Sequence, residues 1–274
     1  MIKKISDDFD LEKIRVSGQC FRVGTFPDGT YRFICGDKVL YIREEEPGAF
    51  SVSCTEEEWD GFWHGYFDLD RSYSAIRGKC KGINPFIDLS MESGKGLRIL
   101  RQERWEMLIT FIISQRKNIP AISSCVEKLC SRFGHMVDTG REKLWTFPEP
   151  AALAAGSAAG RLDDCSLGYR ADYVASAAET VAEGKADLDA LDELDDAALV
   201  AALKGFKGVG DKVANCVALF GYARTGLAPV DVWIGRAIND QCGGRNPFPD
   251  YGENGGIMQQ YVFYYQKHGA EQQA

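Results

Sequence analysis

Two side chains in the last third of the chain have types and settings that could do covalent chemistry: Lys212 and Asp231. Lys212 follows the run GFKGVGD and opens the apolar stretch KVANCVALFGYA. Lysine becomes a nucleophile once deprotonated, and burial or the positive potential at a helix N-terminus promotes that state. Asp231 lies in APVDVWIGRAI, where Pro229 helps fix the approach to a helix that the aspartate caps. A carboxylate brought near the amine would serve an N-glycosidic substrate twice, by stabilising a developing cationic sugar and by relaying protons. On residue types alone, a solvated helix-start lysine and a plain N-cap account for the same two positions more simply.

The run before Lys212 supplies the second chemical feature. Gly205, Phe206, Lys207, Gly208, Val209 and Gly210 separate two apolar helical stretches, DAALVAALK and DKVANCVALFGYA. Three glycines permit a tight reversal with positive φ and leave the first backbone amides of the second helix uncovered. The helix dipole favours an anion there, so a phosphate fits without net positive charge on the protein. A Walker A loop is excluded, because Asp211 precedes Lys212 and Val213 follows it. A dinucleotide fingerprint is excluded too, since the run follows a helix and has the spacing G-x-x-G-x-G. A ligand-free turn between helices remains the competing reading of the glycines.

The elements that must position these residues change character along the chain. Within 14–55, FRVGTF, TYRFICGD, KVLYIRE and AFSVSCT read as short antiparallel strands, with turns at PDGT and GDK. Helical periodicity begins near 56 with TEEEWDGFWHGYF and dominates from 97 onward. LRQERWEMLITFIISQ is its strongest segment, and further helices are expected at 119–133, 150–159, 169–183, 195–204 and 211–223. The Gly- and Asn-rich stretch 243–256 reads as a loop, and the QQA end is expected to fray. The predicted class is α+β: a small N-terminal antiparallel β-sheet domain (1–95) packed on an all-helical body (96–274) whose helix-hairpin-helix turns at 205–210.

Composition narrows the function classes. With 45% hydrophobic and 26% charged residues over 274 positions, the chain can bury a substantial core, and no apolar run is long enough to cross a bilayer. The charged start MIKKISDDFDLEKI does not fit a signal peptide, so a cytoplasmic protein is expected, nucleoid-associated if bacterial. Nine cysteines, an odd number without a Cys-x-x-Cys, point to reduced thiols, and His64, His135 and His268 are too scattered for a metal site. A net charge of -8 argues against bulk electrostatic attraction to nucleic acid, so any DNA contact has to be local. Acidic residues crowd 181–199, whereas 95–132 carries Lys95, Arg98, Arg101, Arg104, Arg116, Lys117, Lys128 and Arg132.

LKGFKGVGDKVANC followed by PVDVW resembles the helix-hairpin-helix and Gly-Pro-Asp-type segment of the DNA glycosylase superfamily, specifically its 8-oxoguanine DNA glycosylase and AP lyase branch. The likeness continues in SGQCFR (17–22), GLRILRQERWEMLITFIISQRKNI, LGYRADYV (167–174) and GIMQQYVFYY (256–265), in order along nearly the whole chain. The resemblance implies that Lys212 is the Schiff-base nucleophile and Asp231 the catalytic carboxylate. It implies that the Gly18 carbonyl accepts from the N7 hydrogen of 8-oxoguanine, that Cys216 and Phe263 sandwich the flipped base with Phe220 in the same recognition set, and that Gln259 reads the Watson–Crick edge. DNA contacts are implied for Arg116, Lys117 and Asn118 in the intercalation loop, for the wedge Tyr169 and its neighbour Arg170, which keeps the second arginine expected at the opposite base, for Gly208, Gly210 and Val213 at the hairpin, and for Trp233.

Three positions depart from the better-known members of that branch. Trp233 stands where they carry a phosphate-contacting histidine, Ala121 where they carry an arginine that reads the orphaned cytosine, and Arg116 where they carry a gap-filling asparagine. A lost bidentate contact forfeits about 1–3 kcal/mol of discrimination, so relaxed opposite-base specificity is expected. The activity implied is excision of 8-oxoguanine from double-stranded DNA by Schiff-base chemistry with β-elimination, by a monomer without membrane contact. No cofactor is required and no metal is implied in catalysis, although a structural cation at the hairpin backbone is compatible with the resemblance. Alternatives are a glycosylase for another purine lesion and a non-catalytic helix-hairpin-helix DNA-binding protein.

Overall fold

The computed structural model describes residues 1–269, so the QQA end lies outside the described residues. Strands β1 (Ile2–Lys4), β2 (Gly24–Thr25), β3 (Tyr31–Cys35), β4 (Lys38–Glu46) and β5 (Ala49–Val52) form one antiparallel sheet in the order β1-β5-β4-β3-β2. The β3–β4 hairpin closes through the two residues Gly36 and Asp37, with Cys35 opposite Lys38 and Gly36 at φ +59°. One face of the sheet buries Phe33, Leu40, Ile42, Phe50 and Val52. Against it lie helix α1 (Leu11–Val16) and a helical segment over 56–66.

Two features here differ from the sequence reading. Residues 14–16 belong to α1, because the Asp10 carboxylate accepts from the Lys13 amide at 3.0 Å and Leu11 and Ile14 then point into the core. Strand β1 has only three residues, too few for alternation to be visible, and it forms because the edge of β5 offers it a ladder. The segment 56–66 runs from α2 (Glu56–Glu58), capped by Thr55, through a π-helical turn at Trp59–Trp63 into α3 (His64–Tyr66). The widened turn places Trp59, Trp63 and Tyr66 in the same core as the sheet face.

The helical body contains α4 (Tyr73–Cys80), α5 (Pro85–Ser93), α6 (Arg104–Ser114), α7 (Ile119–Phe133), α8 (Pro150–Ala158), α9 (Ala171–Ala182), α10 (Asp196–Lys204), α11 (Asp211–Gly221), α12 (Val232–Gln241) and α13 (Gly255–His268). Helix α6 is its axis: every residue from Trp105 to Ser114 is buried, with α7, α9 and α11 packed around it. Helices α4 and α5 share this second core, and α5 lies along α13. The body is not wholly helical, since β6 (Met136–Asp138) and β7 (Lys143–Trp145) form a ribbon around a turn with Gly140 at φ +74°. Residues 243–256 are also more ordered than a loop, with a 3-10 helix at Phe248–Asn254 leading into α13.

The two cores are tied together by Arg98, which is fully buried. Its guanidinium donates to Asp7 Oδ2 at 2.8 Å and to the carbonyls of Asp8 and Asp68 at 2.6 Å each. That commitment holds the segment before α6 extended rather than helical, until Glu103 caps α6 by accepting from the Trp105 and Glu106 amides.

Candidate active site

Helices α10 and α11 meet at the glycine hairpin, where the three glycines differ in conformation. Only Gly208 adopts positive φ, at +80°, and a Cβ there would run into the Tyr173 ring. Gly205 is helical at φ -66°, and Gly210 is the N-cap of α11 at φ -100° without a side chain to cap with. The first amide of α11 to bond back into the helix is that of Ala214, to the Gly210 carbonyl at 2.9 Å, leaving the amides of 211–213 to an outside acceptor. Val213 contributes only its amide, because its side chain is buried. Phe206 and Val209, both buried, anchor the hairpin to the body.

Beside the hairpin opens a cavity of about 760 Å³, lined by α6, the loop after it, α11, the start of α12, α13 and Gly18. Lys212 enters it from the first turn of α11, with Nζ 3.4 Å from Ser114 Oγ and 5.2 Å from the centre of the Phe111 ring. Phe111 stacks on Phe220 at 5.5 Å and 14°, and this pair forms an apolar floor. One turn beyond Lys212, Cys216 is buried; burial pushes its thiol up, while Lys212 pulls the other way. Asp231 spends Oδ1 on capping α12, accepting from the Ile234 amide at 2.9 Å, and also lines the cavity. Among the described residues no ion pair joins Lys212 to Asp231, and both line the cavity.

Helix α13 supplies the opposite wall at a spacing of one turn, with Gln259, Phe263 and Lys267. Gly18 packs edge-on against it: at φ +76°, a Cβ there would lie 2.9 Å from Phe263 Cε1. Gln260 also lines the cavity and donates to Gln259 Oε1 at 2.9 Å, so the neighbouring glutamines act as a pair. Sequence reading missed Ser114, which looks like an ordinary helix end, and Lys267. The Lys267 ammonium sits 4.7 Å from the Phe263 ring, and its pKa is lowered by burial, which the nearby Asp231 opposes. Its spacing from Gln259 and Phe263 was the available signal.

The loops expected to touch DNA divide into free and committed groups. Arg116 is exposed at φ +53° in the loop between α6 and α7, and Tyr169 is 52% exposed on the 3-10 turn Gly168–Arg170. Trp233 is 47% exposed at the cavity rim. Lys117 donates to the Ser166 carbonyl at 3.1 Å, and Asn118 caps α7 by accepting from the Ala121 amide at 3.0 Å.

Arg170 is not a free DNA contact. It is buried, and its guanidinium donates to the carbonyls of Gln115 (2.8 Å) and Leu167 (3.1 Å), stapling the two loops together. The basic stretch 95–132 is likewise no continuous strip. Arg98, Arg101, Arg104 and Arg132 are paired with Asp7, Asp68, Asp189 and Asp192, and Asp164, leaving Arg116 and Lys117 at the cavity.

A glycine hairpin that opens amides to a phosphate, with a lysine and a capping aspartate lining one aromatic cavity, is the arrangement of the helix-hairpin-helix DNA glycosylases. Comparison with known proteins narrows the class. Residues 1–108 match the family model of the 8-oxoguanine DNA glycosylase N-terminal domain. A probable N-glycosylase/DNA lyase of Methanothermobacter thermautotrophicus is 30% identical over 227 residues, covering 72% of this chain and 70% of that protein. The Clostridium acetobutylicum 8-oxoguanine glycosylase/lyase, in complex with double-stranded DNA containing cytosine opposite 8-oxoguanine, superimposes with a TM-score of 0.90 at 29% identity over 98% of both chains. The chain belongs to the 8-oxoguanine DNA glycosylase/lyase family. The N-glycosylase/DNA lyase of Saccharomyces cerevisiae is 34% identical over 155 residues, a match that spans 53% of this chain and 41% of the yeast protein.

Proposed function

We propose that this protein is a bifunctional DNA glycosylase and AP lyase that removes 8-oxoguanine from duplex DNA. The observation that carries the reading is the Lys212 amine at the wall of a cavity of about 760 Å³, one turn from Cys216 and facing Gln259 and Phe263. An enzyme acting on a base has to extrude it, stack it and read its edge. Cys216 and Phe263 provide the stacking walls, Gln259 held by Gln260 provides the edge contact, and the Gly18 carbonyl is the acceptor for the N7 hydrogen that guanine lacks. The duplex in the Clostridium relative's complex supports DNA of this kind as the substrate.

In the first step the Lys212 lone pair forms a bond to C1′. The C1′–N9 bond breaks with its electron pair going to the base, which takes up the proton that the nitrogen gives up. Asp231 faces the positive charge that develops on the sugar. The nitrogen lone pair then forms the C1′=N bond of an iminium as the C1′–O4′ bond breaks and O4′ takes up a proton from water. A base removes a C2′ proton, the C2′–H electrons form C2′=C3′, and the C3′–O bond breaks with its pair leaving on the phosphate, which cuts the strand. The uncapped amides of 211–213 hold a phosphate, which reconciles DNA binding with a net charge of -8. Discrimination of the opposite base is relaxed, because Ala121 has no reach and Arg170 is committed to backbone carbonyls.

The test is borohydride trapping on duplexes with single defined lesions. The wild type should give a covalent adduct with 8-oxoguanine duplex, and Lys212→Gln none. Trapping only on an alkylated or ring-opened purine would move the reading to another lesion. Tight binding without any adduct would reduce the protein to a binding module.

A further inference from the structure

We propose that Ser114 is a positioning residue for Lys212, holding one amine hydrogen so that the nitrogen lone pair faces the cavity. The inference rests on the glycosylase/lyase reading above and concerns how that reaction is aimed. Ser114 ends α6, and its side chain is almost wholly removed from solvent. Its hydroxyl hydrogen is already committed, with Oγ 2.8 Å from the Phe111 carbonyl three residues earlier. Toward Lys212 Nζ, 3.4 Å away, Oγ is therefore left to accept.

That polarity has a stereochemical consequence. A neutral amine on a carbon stem has three remaining directions, two N–H bonds and one lone pair, and only the lone pair can bond C1′. Ser114 takes one N–H, and the π face of the Phe111 ring, 5.2 Å from Nζ, favours the second N–H over a lone pair. The third direction belongs to the lone pair, and the side open to it is the cavity, since the Phe111 ring closes the floor 5.2 Å from Nζ. Without Ser114 the four-carbon stem would rotate among orientations that present an N–H to the sugar. A separation of 3.4 Å is long for such a bond, and hydrogen bonds of this kind tighten once substrate is bound.

In the attack itself the N–C1′ bond forms from the aimed lone pair and the C1′–N9 pair leaves with the base. The proton surrendered by nitrogen balances the charge on N9. Ser114 neither gains nor loses a proton, so its effect is on the rate of base loss and not on binding.

The experiment measures single-turnover base loss and borohydride trapping on 8-oxoguanine duplex, together with duplex affinity and melting temperature, for Ser114→Ala, Ser114→Thr and Ser114→Cys. Ser114→Ala should slow base loss about threefold to tenfold, the range expected for one lost hydrogen bond, with affinity within about twofold. Ser114→Cys, of serine's shape but a weak acceptor, should be slow like alanine. Ser114→Thr keeps the hydroxyl and should recover most of the rate if its melting temperature is near wild type. If the extra methyl unfolds it, the comparison of cysteine with alanine decides. The proposal is overturned by alanine or cysteine variants with the wild-type rate, by loss of rate and affinity in equal measure, or by a folded threonine variant as slow as alanine. A wild type that traps no lesion at all would instead overturn the glycosylase/lyase reading itself.

Discussion

Gly18→Ala separates what the fold requires of that glycine from what the cavity requires. Gly18 sits at φ +76°, and a methyl there would meet Phe263 Cε1 at 2.9 Å, Cζ at 3.3 Å and Ile119 Cδ1 at 3.5 Å. The left-handed backbone costs a non-glycine residue about 1–2 kcal/mol. Overpacking a contact that tight adds about 1–3 kcal/mol, unless the ring yields by a few tenths of an ångström. Gly29 provides the control, because it has φ +80° and its nearest neighbour to a new Cβ is Arg43 Cδ at 3.9 Å. Gly29→Ala should therefore show the backbone cost alone, a drop of roughly 2–8 °C in melting temperature, with excision unchanged. Gly18→Ala should melt lower still and lose at least about tenfold in single-turnover excision of 8-oxoguanine, since the wall it displaces is the stacking face. Differential scanning calorimetry and a gel-based excision assay on the two variants suffice. If Gly18→Ala matches Gly29→Ala in both measurements, Gly18 is only a turn glycine and the packing argument is wrong.

Gly208→Ala should weaken binding to undamaged duplex severalfold, because its φ of +80° and the Tyr173 ring leave no room for Cβ without moving the phosphate-holding amides; fluorescence anisotropy at fixed salt would show wild-type affinity if that is mistaken. Arg170→Ala, which strips buried bonds from the Gln115 and Leu167 carbonyls, should lower stability by about 2–3 kcal/mol and slow excision opposite cytosine and adenine alike; a selective loss opposite cytosine would restore Arg170 as a base reader. The wild-type cytosine-to-adenine rate ratio should be below about tenfold, given that one bidentate contact accounts for about 1–3 kcal/mol. Glu106, buried on α6 beside Arg22, has its pKa pushed up to about 7 from 4.5 by burial, so the folded state binds its proton more tightly than the unfolded chain. That stability is fully present below pH 4.5 and declines as pH rises toward 7, on the order of 3 kcal/mol. Glu106→Gln should lose this decline in denaturant titrations, and an unchanged slope would assign the pH dependence elsewhere.

Much of the site was legible in the chain because its logic is local. The hairpin glycines, Lys212 in the first turn of α11 and Asp231 as the cap of α12 all follow from turn and capping chemistry acting over a few residues. Asn118, named only as a DNA contact, also caps α7 through Oδ1, a role that the same local chemistry explains. Helix types and most helix bounds follow from the 3.6-residue period, whereas β1 and the β6–β7 ribbon escaped because strands of three residues carry no period.

What the sequence could not contain is the set of partners each side chain finds across long separations. Arg170 looks like a surface arginine until Gln115, 55 positions away, presents its carbonyl. The basic stretch 95–132 looks like a DNA strip until Asp7, Asp68, Asp164, Asp189 and Asp192 are brought against it. Ser114 and Lys212, 98 positions apart, meet only because α6 and α11 pack along each other. Local chemistry determined which residues could react; the packing of α6, α11, α12 and α13 around one cavity decided which of them meet there, because a guanidinium satisfied within the fold, as that of Arg170 is, has little left to offer a substrate, whereas Asp231 and Ser114 each keep an acceptor lone pair.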